Sequence, residues 1–163
     1  MDDSDIDSGI EEMRLAPLYH SAFYGLNSVL KQLIGAEAGA KVNTQGRYYG
    51  NALQAASFEG HDSTVKILLE ARANVNAEGG VYDNALQATA VWRRDSIVKI
   101  LVESGADDNT QGGYYGNALQ AAVAEGYKSI VKILIGAGQC QIDFRFPLLA
   151  PALKVILPSP FQR

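Results

Sequence analysis

The chain has 163 residues, of which 47% are apolar and 20% charged, the balance of an ordinary globular protein. Residues 1–15 carry six acids and one base, so the net charge of −4 leaves 12 acids against 13 bases in the rest. A near-neutral body has no basic surface for a phosphate backbone, and we expect no nucleic-acid partner. The acidic residues 1–15 are interpreted as a solvated, poorly ordered arm.

Membrane attachment and secretion are also disfavoured. No apolar run approaches the roughly 18–20 residues that span a bilayer, and the N-terminus is acidic where a secretory signal is basic. Cys140 is the only cysteine, so no internal disulfide can form, which favours a reducing compartment. We therefore expect an intracellular protein, cytoplasmic or nuclear, with no membrane partner.

The first unit after the arm, Ala16–Asn43, is a degenerate copy of the later units. It aligns with the next unit at a spacing of 35 residues, as from Gly25 to Gly60, whereas Asn43 and Asn76 are 33 apart. The two extra residues fall within Gly35–Lys41, where small side chains predict a loop.

The rest of the chain is dominated by a repeat with a period of 33 residues. The motif YYGNALQAA at Tyr48–Ala56 returns as VYDNALQAT at Val81–Thr89 and unchanged at Tyr114–Ala122. Asn43–Leu68 and Asn109–Leu134 share 20 of 26 residues. A fixed period between about 20 and 50 residues indicates a solenoid, whose units bury their apolar faces only by stacking. We place units one to four at residues 16–42, 43–75, 76–108 and 109–138.

Each regular unit contains a predicted short helix, which follows the link residues at the start of the unit. Asn51 suits an N-cap because its side-chain oxygen can accept from the free N–H groups of the first turn. The alanines that follow favour helix and allow a neighbouring helix to come close. Gly60 and Gly126 then end the helix in the left-handed conformation that glycine adopts at least cost.

A second helix follows in each unit. The apolar run of Ser63–Glu70 alone fits strand or helix, but its apolar residues recur at i, i+3 and i+4, which favours helix. A polar, glycine-rich link then leads to the next unit. Lysines recur at one equivalent position of this helix, where we expect a solvated outer face: Lys31, Lys66, Lys99 and Lys132.

These units resemble the ankyrin repeat. Ala16–Gly25 (APLYHSAFYG) is close to the family's Thr-Pro-Leu-His-x-Ala-Ala-x-x-Gly, and Gly60–Asn76 resembles its Gly-His-x-x-x-Val-x-x-Leu-Leu stretch and the Ala-x-Val-Asn beyond it. The resemblance covers about residues 16–138 and implies an all-α solenoid of four helix-turn-helix units with short protruding hairpin links. The three later units replace Thr-Pro-Leu-His by Asn-Ala-Leu-Gln, which is similar to arrays in large filamentous-fungal proteins, where a NACHT-type nucleotide-binding domain often precedes them.

Two departures from the pattern stand out. Arg93 occupies the position of Gly60 and Gly126, so we expect the turn to be remodelled and unit three to be the weakest regular unit. Residues 139–163 match no unit and are apolar and proline-containing. This tail folds over the last unit, is disordered, or marks a truncated array.

The residue pattern carries no recognisable catalytic chemistry. Gly35–Lys41 only faintly resembles a phosphate loop, because another residue separates its last glycine from the lysine. His20 and His61 stand near positions that are structural in the ankyrin family, and Cys140 lacks the context of a nucleophile. We expect no enzymatic activity, no cofactor and no metal.

What remains is a binding surface. In ankyrin proteins partners dock on the concave side, formed by the link tips and the exposed face of the first helices, and the resemblance implies the same for the equivalent positions here, which we call the binding strip. Aromatic side chains are enriched at binding hot spots, although several of these rings could pack between units instead. Tyr49, Tyr82 and Tyr115 recur in every regular unit and are assigned to packing between units. The binding strip comprises Phe23, Tyr24, Arg47, Tyr48, Phe58, Glu59, Glu78, Val81, Asp83, Val91, Trp92, Gln111, Tyr114, Ala124 and Glu125.

The expected function is therefore non-catalytic protein binding by a monomeric array. The alternative is a ligand-sensing or regulatory segment of a larger NACHT-type NTPase whose catalytic domain is not in these residues.

Overall fold

The protein is described by a computed structural model, which covers residues 17–36, 42–46 and 48–137. The predicted acidic arm, the tail from residue 139, Arg47 and most of the predicted insertion lie outside these residues. Within the covered ranges there are eight helices and no strand beyond an isolated bridge between Gly112 and Gly116.

The helices come in consecutive pairs, one pair for each predicted unit. Residues 17–23 form α1, and the others follow as two short helices joined by a tight turn. Their bounds are α2 Asn27–Ala36, α3 Ala52–Glu59, α4 Asp62–Glu70, α5 Ala85–Val91, α6 Asp95–Glu103, α7 Ala118–Ala124 and α8 Lys128–Gly136.

The helices stack in two rows. In the first row α5 packs between α3 and α7, and in the second row α2, α4, α6 and α8 pack in order. Of the first helices, α3, α5 and α7 also pack on the second helix of the same unit. This arrangement confirms the predicted all-α solenoid, in which each unit contacts its sequence neighbours.

The core lies between the two rows. Leu53, Leu86 and Leu119 occupy the same position in successive units, and each is at most 2% exposed. The alanines of the first helices other than Ala124 are buried as well, which lets these helices approach closely. The lysines of the second helices are exposed, as the sequence pattern predicts.

The predicted cap is present in all three regular units. Asn51, Asn84 and Asn117 have extended backbones, and each Oδ1 accepts from the N–H three residues later at 2.8–3.0 Å. Since these N–H groups have no partner inside the helix, the asparagine side chain satisfies one of them.

The turn between the two helices corrects one expectation. Gly60 and Gly126 have φ of 89° and 73°, and Arg93 has φ of 55°, so the turn of unit three keeps the left-handed geometry and is not remodelled. At Gly60 an added Cβ would meet the Arg94 guanidinium at 2.7 Å. At the next junction Tyr127 lies in place of Arg94, and the Arg93 guanidinium sits 5.9 Å from its ring centroid. A side chain is therefore accommodated at residue 93 because the following unit supplies an aromatic face.

Candidate functional site

The binding strip contains large apolar side chains that are exposed. Five of them lie on links or at the ends of first helices. Tyr114 is the most exposed of them, at 92%. The other four are Tyr24, Tyr48, Val81 and Trp92, which are 44–63% exposed.

A continuous stack of aromatic rings runs beneath this surface. The Phe23 ring stacks on Tyr49 with centroids 5.5 Å apart, Tyr49 stacks on Phe58 at 4.2 Å, and Phe58 stacks on Tyr82 at 5.6 Å. Trp92 meets the Phe58 ring edge-on at 5.2 Å. We call these five rings, which link units one to three, the ring stack. Its members Phe23 and Phe58 are half-buried, so these two strip residues also hold neighbouring units together.

Two hydrogen bonds orient ring residues on the strip. The Trp92 indole Nε1 donates to the Tyr82 hydroxyl at 2.8 Å, which fixes the exposed indole against the ring stack. In unit four the Tyr115 hydroxyl donates to Glu125 at 2.5 Å, and this bond, with burial, raises the pKa of Tyr115 to about 12. The recurrent tyrosines thus play different roles: Tyr49 and Tyr82 bridge units through ring contacts, whereas the hydroxyl bond of Tyr115 stays within unit four.

The charged residues of the strip are mostly acidic. Glu78 and Glu125 are exposed, and Glu59 is half-buried near Tyr49, whose pKa is raised by burial and then by this carboxylate. Asp83 is half-buried, and its pKa is raised by burial and then by Glu78, against a hydrogen bond with Asn84.

Asp83 also has an unusual backbone. Its φ is 67°, and it stands where units two and four have Gly50 and Gly116, with φ of 82° and 91°. A Cβ added to Gly112 would meet the Asp83 carboxyl carbon at 2.3 Å, so the carboxylate is held against the next link. Among the residues covered by the structure, its buried Oδ2 has no hydrogen-bond partner.

The remaining strip residues complete the surface. Gln111 is exposed, with Nε2 donating to the Asn109 carbonyl at 3.1 Å. Val91 stands in unit three at the position that Phe58 has in unit two, and it is half-buried. In unit four the small side chain of Ala124 stands at this position and contributes no ring. The structure thus places the strip residues that it describes, all but Arg47, on one row of links and first helices.

Comparison with known proteins identifies the fold family. The family model described as "Ankyrin repeats (3 copies)" matches residues 18–112, more than half of the chain. The chain belongs to the ankyrin repeat family. A stretch of 60 residues is also 43% identical to azaphilone pigments biosynthesis cluster protein L of Monascus ruber. The match covers 34% of this chain and 13% of that protein. The chain thus spans only a small part of this relative's length.

Ankyrin repeats are in general protein–protein interaction modules, and the family is in general non-catalytic. In the described part of this ankyrin array no group of three or more His, Cys, Asp or Glu is placed to hold a metal ion. No helix there is both long and apolar enough to cross a membrane. His61 has a structural contact, since its Nε2 lies 2.9 Å from the Phe23 carbonyl oxygen in unit one.

The structure also reveals ankyrin junction residues that sequence reasoning missed. Gln54 Oε1 accepts from the Asn51 N–H at 2.7 Å, which completes the cap. Its Nε2 lies 2.8–3.1 Å from three carbonyl oxygens of the next link, those of Ala77, Gly79 and Asp83. The buried side-chain amide of Gln54 therefore completes the cap of its own helix and also contacts the link of the following unit.

The same connection recurs one unit later. The carbonyl oxygens of Thr110, Gly112 and Gly116 lie 3.1–3.4 Å from the two amide heavy atoms of Gln87, so this side chain donates to the next link in either orientation. The sequence signal that could have identified these residues is a glutamine that recurs every 33 positions among alanines that are buried.

A second amide joins the bases of successive links. Asn43 Oδ1 accepts from the Asn74 N–H at 2.6 Å, and Asn76 Oδ1 accepts from the Asp107 N–H at 2.8 Å. We call Asn43, Gln54, Asn76 and Gln87 the junction amides. They hold the links that carry five residues of the binding strip: Glu78, Val81, Asp83, Gln111 and Tyr114.

Proposed function

We propose that this ankyrin array is a non-catalytic module that binds a protein partner along the binding strip. One observation carries the proposal: five large apolar side chains are exposed on a single row of links and first helices, whereas in the described residues the second helices expose lysines and one large apolar side chain, Val29. Exposed apolar side chains gathered on one surface are typical of interaction sites, and tryptophan and tyrosine are enriched at their energetic centres.

The array favours binding because its contact groups are already ordered. Trp92 is held by the Tyr82 hydroxyl and by the edge of Phe58, so docking freezes few of its rotamers. The links are fixed by Gln54 and Gln87 from the preceding unit. Because ordering these groups is part of folding, the partner meets a surface with little conformational entropy left to lose.

The test removes exposed rings and spares the ring stack's interior. The triple variant Tyr48→Ala, Trp92→Ala and Tyr114→Ala is immobilised beside the wild-type chain, and captured proteins from a lysate of the producing cells are quantified by mass spectrometry. We expect the triple variant to lose the captured partner and to keep its far-UV helical spectrum. Phe58 is left intact because it contacts Tyr49, Tyr82 and Trp92.

The matched control lies on the other row. Lys66→Ala with Lys132→Ala removes two exposed side chains that are remote from the strip, and capture should persist. Capture that depends on the lysines and ignores the aromatic rings contradicts the proposal and points to an electrostatic partner on the second helices.

A second candidate function is the alternative that the sequence resemblance implies. The matched region makes up 13% of the Monascus ruber protein, so a related array occurs there within a longer chain. We propose as the alternative that the array is a ligand-sensing or regulatory segment of a larger NACHT-type NTPase. Sequencing the full transcript discriminates the two, because an adjacent nucleotide-binding domain supports the alternative. Sedimentation of the purified chain tests the further proposal that the array is monomeric.

A further inference from the structure

Unit one exposes apolar side chains where the later units bury theirs. Leu26 and Val29 are 50% and 44% exposed, and Leu33 is half-buried. These three residues are spaced at i, i+3 and i+7 along α2 and the residue before it, so they share one side, which we call the end face. The residues equivalent to Val29 and Leu33 in units two to four are all fully buried, namely Thr64, Ile97, Ile130, Leu68, Leu101 and Leu134.

The equivalent positions in unit two show what such a face contacts. At the position of Leu26, His61 Nε2 lies 2.9 Å from the Phe23 carbonyl oxygen of unit one. At the position of Val29, the Thr64 hydroxyl donates at 2.7 Å to the side-chain oxygen of the first residue of α2. Both contacts reach back to the preceding unit. The end face is therefore the surface with which a unit meets whatever precedes it, and in the described residues nothing precedes unit one.

A regular ankyrin unit and a second copy of the chain both fit the end face poorly. Arg94, like His61, contacts a carbonyl oxygen of the preceding first helix, that of Phe58 at 3.1 Å. Leu26 has no polar atom for this contact, so a regular unit placed before unit one lacks it. A standard dimer interface takes roughly 20–30 residues from each partner, whereas the end face offers three apolar side chains. A short apolar segment is the better match.

The acidic arm contains such a segment. Each second helix has a serine with apolar residues two and five positions later, as in Ser63–Leu68 (STVKIL), and the arm repeats this order at Ser8–Met13 (SGIEEM). Together with Ile6, the apolar residues of the arm stand at i, i+4 and i+7, which predicts a stripe on one side of a helix. The acids of residues 5–12 fall on the other sides, where a helix would face solvent.

We infer that residues 5–15 form a helix whose apolar stripe of Ile6, Ile10 and Met13 covers the end face of unit one. The arm is then solvated on its acidic side alone. Eleven helical residues span about 16 Å, close to the roughly 15 Å of the ten residues of α2. A tether of one residue to α1 also favours this segment over any separate molecule, because it raises the local concentration of the stripe.

The chain path fixes the direction of the docked helix. Because α1 and α2 are joined by a tight turn, the end of α2 lies on the same side of unit one as the start of α1 at residue 17. A helix that ends at residue 15 therefore runs parallel to α2, with its own start beside the α1–α2 turn. The charge of unit one permits this approach, since residues 17–36 include Lys31 and no acid.

The first test locates the start of the arm in the full chain. A nitroxide is attached to Ser4→Cys in a Cys140→Ser background, and the loss of amide signal is measured by NMR for each residue. Docking places the label beside the α1–α2 turn, so the loss should be strongest at residues 24–30. A solvated arm is anchored only at the start of α1, and a loss centred there and on the end of α2 overturns the inference.

The second test removes the stripe and keeps the chain length. The triple variant Ile6→Ser, Ile10→Ser and Met13→Ser should abolish the signal loss at residues 24–30. It should also speed hydrogen exchange of the α2 amides about tenfold and leave those of α6 and α8 unchanged, because only α2 loses its cover. The control Glu11→Gln with Glu12→Gln, on the acidic side, should exchange like wild type. Equal α2 exchange in the triple variant and wild type contradicts the inference.

A third measurement distinguishes a second copy of the chain as the occupant. Sedimentation equilibrium compares wild type with Leu26→Ser plus Val29→Ser, which makes the end face polar. We expect a monomer in both cases, with faster α2 exchange in the variant. A wild-type dimer that the two substitutions convert to a monomer assigns the end face to a second copy and overturns the inference.

Discussion

A comparison of units two and four with unit three shows which residues the fold requires and which residues differ at the surface. The buried leucine, the capping asparagine and the glutamine of the first helix are identical in all three. Unit three differs at half-buried or exposed positions, which include Val81, Asp83, Trp92, Arg93 and Arg94, and it also has buried Thr89 where the other two have alanine. The comparison teaches that stacking fixes the leucine, the asparagine and the glutamine of the first helix, while the strip positions vary.

The difference also shows in the backbone. Three non-glycine residues have positive φ among the described residues, and two of them, Asp83 and Arg93, belong to unit three. Both stand where the other units use glycine. Unit three therefore carries local strain that units two and four avoid at the same positions.

The largest expected effect concerns the buried leucine that the three regular units share. Leu53→Ala, Leu86→Ala and Leu119→Ala should each lower the free energy of unfolding by roughly 2–5 kcal/mol, because each leaves a cavity between stacked units. Urea titration followed by circular dichroism measures the loss. Val81→Ala, at an exposed strip position, should change it by less than about 0.5 kcal/mol. An unchanged midpoint in Leu53→Ala contradicts the core assignment.

The next effect tests the junction amides. Gln54→Ala removes a cap bond and leaves the next link's carbonyl groups without their donor, at a cost of roughly 2 kcal/mol. Gln45→Ala, which removes one exposed bond to the Glu78 carbonyl, should cost less than about 0.5 kcal/mol. Equal losses in the two variants show that burial does not set the strength of these junctions.

A smaller effect sharpens the account of Asp83. Its raised pKa means that the folded state favours the protonated carboxyl, so ionisation destabilises the fold at neutral pH. Asp83→Asn should therefore stabilise the array at pH 7, by less than about 1 kcal/mol since the group is partly exposed.

The gain from Asp83→Asn should shrink as the pH falls through the raised pKa. It should vanish below the ordinary aspartate value of 3.8, where wild-type Asp83 is protonated in both states. Urea titrations at pH 7 and at mildly acidic pH measure the trend, and a gain that grows on acidification refutes this explanation.

The smallest effect concerns Arg93. Arg93→Gly relieves the left-handed backbone but removes the contact with the Tyr127 ring, so the net stabilisation should be only a few tenths of a kcal/mol. In a Tyr127→Leu background that contact is already absent, and the same substitution should stabilise more, up to about 1 kcal/mol. A double-mutant cycle that shows no coupling removes Tyr127 as the reason why arginine is tolerated.

The sequence was sufficient to predict the repeat and most features of a single unit, but it missed the bond from the Asn51 N–H to Gln54 and the bond from the Tyr115 hydroxyl to Glu125. The 33-residue period, the asparagine caps, the buried leucines and the exposed lysines can all be read from local pattern and helix chemistry. The structure confirms each of them, and the family model confirms the ankyrin resemblance.

The other features that were missed depend on contacts between units. Gln54 meets carbonyl groups 23–29 residues ahead, and nothing within its own helix indicates that reach. Arg93 keeps its turn because Tyr127, in the next unit, replaces Arg94. The assignment of Phe58 and Trp92 to a partner contact stays a prediction, since the ring stack explains part of their packing.

The junction amides also bear on how such an array changes length. Gln54 donates to the link of unit three, and Gln87 of unit three donates to the link of unit four. Unit three thus brings both halves of a matching joint, and units two and four have the same glutamine. A tandem duplication or deletion of 33 residues creates a new boundary with the same hydrogen bonds as the old ones, so the gene can lengthen or shorten its product one whole unit at a time without inventing an interface.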